Sequence, residues 1–368
     1  MEYWDKFVSN SCAGSSNQHS LELSDSAPRT ARIFYKIFAG GEYSYSLLFS
    51  SIINGSYRRI SHANDICDTW QIHELRVGRC RHIPKDRELS ELIMGKDIEV
   101  DGFTALTFSG HAGYKPVGGE LFTSDPVTLD FDKDDYLCLE ITYSGEKIPY
   151  HPESQIPIYL LEGDEWKYSV ETPIAEMIGC DRRPPSGKIG FLGDSITQGC
   201  GAGLNSYLHW NARLSEKIGN AYAYHNLGIG YGLATNAATD GVWLYKAKQN
   251  DIVFVCYGVN DINSEHDTES VIHDLSAVVD KLRDAGCRVI LQTVPPFDYP
   301  PARRAVWEKV NEYIKNELSK RVELVFDCVP ILSVSEEEPH MAKFGGHPNA
   351  VGCGLWADAL YEAVKNIL

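Results

Sequence analysis

Four short segments of the chain hold side chains able to move a proton or stabilise a developing negative charge. The first is Gly193-Asp194-Ser195-Ile196, directly after the apolar run KIGFLG (188–193). A serine between a strand end and a helix start exposes its Oγ, and its own N–H sits where a helix N-terminus favours an oxyanion. The second is Asn226-Leu227-Gly228-Ile229-Gly230-Tyr231-Gly232, whose glycines let backbone approach a substrate closely. The third is Gly258-Val259-Asn260-Asp261, where the Asn260 amide can donate to an oxyanion without bringing a charge. The fourth is His347-Pro348-Asn349, a histidine on a loop that suits a general base near neutral pH. Taken singly, each of these is also an ordinary turn, loop or cap. The 12 histidines are scattered, so neither a metal site nor any other cofactor is expected.

Serine, asparagine and histidine can act together only if separate elements carry them to one place. From residue 188 onward, strand-like and helix-like stretches alternate. Strands are expected at 188–193, 222–229, 251–258, 288–294 and 322–327, and helices at 205–218, 236–248, 268–285, 302–320 and 350–367. The 251–258 run, DIVFVCYG, is apolar enough to be a central parallel strand. Alternating β and α units imply a doubly wound parallel sheet, with its site beyond the strand carboxyl ends, where all four segments fall.

The front of the chain reads differently. Stretches at 43–53, 104–109, 127–131 and 136–143 are rich in aromatic and β-branched residues or alternate in polarity, and turn signals such as Gly118-Gly119, Asp125-Pro126 and Ser144-Gly145 separate them. Short strands with frequent turns predict an antiparallel β-sandwich of jelly-roll type. Asp181-Arg-Arg-Pro-Pro-Ser-Gly, before the change of pattern, reads as a linker. The expected organisation is therefore a sandwich over 1–180, a linker over 181–187 and an α/β domain over 188–368.

Composition limits the partners. With 51 acidic and 34 basic residues the formal net charge is −17, which opposes nucleic acid and anionic membranes. No run of about 18 apolar residues is present. The 10 cysteines include no C-x-x-C pair, and several, such as Cys138 and Cys256, lie in apolar runs, as buried thiols in a reducing compartment would. The first residues, MEYWDKFVSNSCAGSSNQHS, have no signal-peptide pattern. A cytoplasmic protein is the expectation, and a homo-oligomer is left open.

The order and spacing of GDSITQG (193–199), GVND (258–261) and HPNAVG (347–352) resemble the motif blocks of the SGNH/GDSL hydrolases. The resemblance spans 188–368 and implies a three-layer α/β/α, flavodoxin-like domain. It maps Ser195 to the nucleophile and first oxyanion amide, Asn260 to a side-chain oxyanion donor and His347 to the base. Two positions depart from the family pattern. The second block usually supplies a glycine amide five residues after its Asn; that count lands on Tyr231, between Gly230 and Gly232, and the Gly230–Tyr231 stretch is the candidate. The family Asp three residues before the His is here Phe344. The imidazole is then oriented by a backbone carbonyl, as in a Ser–His dyad, or by a carboxylate from elsewhere, Asp327 or one of Glu336, Glu337 and Glu338; otherwise the enzyme is impaired.

A β-sandwich ahead of such a domain resembles the two-domain carbohydrate esterases that remove acetyl groups from plant polysaccharides. The substrate implied is a small-molecule or oligosaccharide ester with a short acyl group, and Tyr207, Trp210, Tyr231, Trp243, Tyr299 and Trp307 are the aromatic candidates for stacking on a sugar. Two other readings stand beside it. One is a lysophospholipase or thioesterase on the same scaffold, which would prefer long acyl chains. The other is a carbohydrate-binding or scaffold protein with a degenerate hydrolase domain, favoured by Phe344.

Overall fold

A computed structural model describes residues 2–55 and 64–368 of the protein. The chain divides into two compact units at Arg183/Pro184.

The first unit is built from antiparallel sheets. One has six strands in the order Glu165–Tyr168, Ile158–Glu162, Arg29–Lys36, Tyr136–Gly145, Trp70–Cys80 and Asp101–Leu106. In another set Gly41–Ser50 pairs with Met177–Cys180, Leu121–Thr123 and Val127–Phe131. The longest strand, Trp70–Cys80, and the central Arg29–Lys36 carry no signal in the sequence reading. Charged residues interrupt both, yet Ile33, Phe34, Leu75 and Val77 are wholly buried.

The second unit is centred on five parallel strands, ordered Leu324–Phe326, Arg288–Gln292, Ile252–Cys256, Gly187–Gly193 and Tyr222–Gly228. In chain order this is 5-4-3-1-2. The direction of winding reverses between the first and third strands, which makes the crevice beyond their carboxyl ends the expected ligand position. Ile252–Cys256 is buried at every residue, as its continuous apolar run requires. Val271, Leu275, Val278, Val279 and Leu282 line the buried face of the Thr268–Asp284 helix at the predicted period.

Two helices differ from expectation. The stretch read as a helix from 205 becomes one only over Trp210–Ile218, because Asn205 and Tyr207 have φ of 54° and 55°, which a right-handed helix excludes. The 236–248 helix is two short pieces, Ala234–Ala238 and Val242–Ala247, interrupted around Gly241. Among the described residues no helix is long and apolar enough to cross a membrane, no disulfide forms, and nine of the ten cysteines are buried.

Candidate active site

Ser195 opens a single helical turn, Ser195–Gln198, at the carboxyl end of the first parallel strand. Asp194 caps that turn by accepting the Ile196 N–H at 3.0 Å. The turn lies hard against the neighbouring strand, because Gly228 has no side chain: a Cβ there would stand 2.5 Å from Gln198 Cα. Gln198 then turns its side chain to the next loop, where its Oε1 accepts the Gly230 N–H at 2.6 Å.

His347 comes from the other end of the domain, in the loop before the Ala350–Val364 helix. Its Nε2 lies 2.7 Å from Ser195 Oγ. His347 is an exposed residue on a loop whose backbone is tied to the last helix. Asn349 fixes that backbone by capping the last helix, accepting from Val351 and Gly352 N–H, while its own N–H donates to Phe344 O at 3.1 Å. The Phe297 ring meets the imidazole edge-on at a centroid distance of 5.6 Å.

Asn260 lies in the short Val259–Asn263 helix after the third strand. Its Nδ2 donates to Gly232 O at 3.0 Å. The next residue, Asp261, accepts the Ala234 N–H on both carboxylate oxygens at 3.0 Å. Asn260 and Asp261 thus clamp both sides of the turn after Tyr231, itself in the left-handed region at φ 57°.

The structure brings Ser195 and His347 together, and ties Asn260 to the loop that carries Gly230 and Tyr231. The N–H of Gly230, a candidate oxyanion amide, donates to Gln198 Oε1. The Gly232 N–H is likewise committed, to Ile229 O at 3.0 Å. Asp327, the candidate orienter of His347, has both oxygens engaged: Oδ1 accepts from Thr293 Oγ1 at 3.0 Å and from Val329 N–H at 3.1 Å, and Oδ2 pairs with Lys315 at 3.4 Å. Asp327 is thus a cap and ion-pair partner in this structure. Glu336, Glu337 and Glu338 are all exposed. Phe344 spends its ring on the last helix, where a Cβ at Gly352 would lie 2.7 Å from Phe344 Cβ and Cγ.

The aromatic candidates separate in the same way. Trp210, Trp243, Tyr299 and Trp307 are core residues, at most 3% exposed. Trp243 Nε1 donates to Tyr257 Oη and Trp307 Nε1 to Val294 O, each at 2.9 Å, so their polar ends are satisfied inside the protein. Tyr207 and Tyr231 remain half-buried.

Sequence reasoning overlooked Asp194, Asp261 and Gln198 as parts of the site. Burial raises the Asp194 carboxyl to about 7, opposed by the Ile196 N–H and reinforced by Asp261. Burial also raises Asp261, to about 6, against the Ala234 N–H and His266. Both carboxylates stood inside motifs already singled out; what the letters omit is that they are wholly enclosed. Asp261, His266 and Asp274 also place one ligand atom each within 4.8 Å of one another, the only grouping of metal-ligand type among the described residues. Its donors are partly engaged already, Asp261 by Ala234 and Asp274 by His273 at 3.0 Å.

Residues 191–355 match the model of the GDSL-like Lipase/Acylhydrolase family. No curated protein matches the chain. Among similar solved structures, a carbohydrate esterase family 3 from Talaromyces cellulolyticus is 19% identical, covering 49% of this chain and 97% of its own, with a TM-score of 0.39. The psychrotrophic esterase EstA from a Pseudoalteromonas species is 18% identical over 49% of this chain and 97% of its own, with a TM-score of 0.40. A member of the lipolytic protein G-D-S-L family from Veillonella parvula is 21% identical over 48% and 98%, also at 0.40.

Proposed function

Given that the second unit carries a GDSL-type hydrolase domain over residues 191–355, we propose that the protein is a serine esterase that removes small acyl groups, acetyl foremost, from a carbohydrate or similar ester. The observation that carries this reading is the 2.7 Å separation of Ser195 Oγ and His347 Nε2. In the proposed mechanism Ser195 O–H donates to Nε2, His347 takes the proton, and Oγ attacks the ester carbonyl. The oxyanion is received by the Ser195 N–H, the Tyr231 N–H and the Asn260 side chain. Tyr231 is assigned by the family count of five residues from Asn226. His347 then returns the proton to the leaving alcohol, and water releases the acyl group by the reverse sequence.

The substrate class rests on the two-part architecture, an antiparallel unit ahead of the hydrolase domain, which we read as a jelly-roll sandwich. Tyr207 and Tyr231 are the aromatic side chains proposed to meet a sugar. A degenerate scaffold would have no reason to keep a serine and a histidine in hydrogen-bond contact.

The test is hydrolysis of 4-nitrophenyl acetate, butyrate and octanoate, followed by an acetylated xylo-oligosaccharide, with Ser195→Ala as control. Acetate is expected to be cut fastest, and Ser195→Ala to fall to background. A preference for octanoate would replace acetyl esterase by lysophospholipase or thioesterase. Equal inactivity of both proteins on every ester would remove the catalytic reading.

A further inference from the structure

The turn that carries Ser195 also reaches the backbone of His347. Ser195 O accepts the N–H groups of Gly199, at 3.1 Å, and Cys200, at 3.0 Å. The following residue, Gly201, lies against the base: a Cβ on it would stand 2.5 Å from His347 O and 2.8 Å from His347 C and Cβ. Gly201 has φ +91°, a conformation that glycine adopts freely and L-residues rarely do. From the other side Gly345, at φ +90°, would place a Cβ 3.2 Å from the same His347 O.

These contacts matter because the atoms touched are mostly main chain. A flexible side chain could turn away from an added methyl, but a carbonyl fixed between Pro348 and a capped helix cannot. Ordinary non-bonded contacts to carbon lie at about 3.5 Å, so His347 would have to retreat by roughly 0.5–1 Å. The backbone beneath His347, together with the Phe297 ring against the imidazole, sets Nε2 at 2.7 Å from Ser195 Oγ.

We infer that Gly201 is a positioning residue, which sets the reach of His347 to Ser195 by packing bare backbone against the base. This rests on the Ser–His reading of the site for its catalytic consequence, but not for its geometry. Gly203 provides the comparison. It has the same left-handed backbone, φ +97°, yet its nearest neighbours to an added Cβ are Ser206 Cβ and Oγ at 3.7 and 3.8 Å. Gly201→Ala and Gly203→Ala therefore share the backbone strain, and only the first presses on His347.

The experiment compares wild type, Gly201→Ala, Gly345→Ala and Gly203→Ala by 4-nitrophenyl acetate kinetics and by ¹⁵N-histidine NMR titration of the His347 ring. All three glycines are exposed, so the variants are suited to solution work, and the lighter contact of Gly345 supplies a second variant should Gly201→Ala fold poorly. The expected order of effect is Gly201, then Gly345, then Gly203. For Gly201→Ala, kcat falls by ~10²-fold, with KM within about twofold, as a misplacement near 1 Å would produce. The His347 resonances and titration move in that variant and stay at the wild-type values in Gly203→Ala. Equal effects of Gly201→Ala and Gly203→Ala, or an unmoved His347 ring in Gly201→Ala, would overturn the inference. If wild type hydrolyses no ester, the esterase reading fails, while the ring titration still decides the role of Gly201.

Discussion

Asn260 has two amide hydrogens, and the Gly232 carbonyl takes one of them. The other is what the proposed mechanism offers to the oxyanion. Asn260→Ala removes both bonds, and kcat for acetyl esters is expected to drop ~10²–10³-fold with little change in KM. Asn260→Asp preserves the shape but turns a donor into an acceptor, so the loss should be at least as large. Steady-state kinetics of the pair checks this; activity within threefold of wild type in either variant would remove Asn260 from the oxyanion site. At this scale the sequence was most legible. Ser195, Asn260 and His347 stand in contiguous motifs whose letters carry their own chemistry. The acceptor of the Gly230 N–H, Gln198, is not legible locally, since it lies 32 residues away. The partners of Asp327, Thr293 and Lys315, are also remote in sequence. Hydrogen-bond partners of that kind follow from strand order, which no local pattern encodes.

The loop and the last helix share one apolar fastening. Phe344 stands where the resemblance to the SGNH/GDSL hydrolases leads one to expect Asp, and its ring fills the space left open by Gly352 in the first turn of the Ala350–Val364 helix. Phe344→Ala should cost about 2 kcal/mol, roughly half of a fully buried Phe→Ala change, because the side chain is half-buried. Phe344→Leu should recover most of that. Urea unfolding measures both, and an unchanged midpoint in Phe344→Ala would show that the ring fastens nothing. Elements themselves were legible where period or apolar run was strong, as in Thr268–Asp284 and Ile252–Cys256. They were misjudged where special backbone intervened. Asn205 and Tyr207 are ordinary letters, and their left-handed φ values arise from the loop they close. Trp70–Cys80 was missed because a strand with His73, Glu74, Arg76 and Arg79 alternates too irregularly to register, although its neighbours bury Leu75 and Val77 completely.

Over the whole molecule, two opposing sets of carboxylates govern how stability follows pH. Asp97, Asp125, Asp240 and Asp267 have lowered pKa values from hydrogen bonds and nearby cations. Their contributions are lost as pH falls below the ordinary carboxylate range. Asp194 and Asp261 act in the reverse sense. Burial raises them to about 7 and about 6, so between pH ~4 and those values the folded state holds protons that the unfolded chain has released. Stability therefore decreases as pH rises through that window. A shift of one unit is worth about 1.4 kcal/mol, so the burial of Asp194 alone is enough to make this fall measurable. The net charge of −17 adds self-repulsion in the same direction, and the two causes separate by salt. At 1 M ionic strength the screening length is about 3 Å, which suppresses repulsion between surface charges and leaves an enclosed carboxyl almost untouched. Denaturant unfolding of wild type and Asp194→Asn, each at pH 4.5 and 7.5 in 1 M salt, isolates the buried contribution. Asparagine keeps an oxygen for the Ile196 N–H and cannot ionise. The fall in stability from pH 4.5 to 7.5 is expected to be smaller in the variant by a few kcal/mol, and equal falls in the two proteins would mean that Asp194 ionises as readily folded as unfolded.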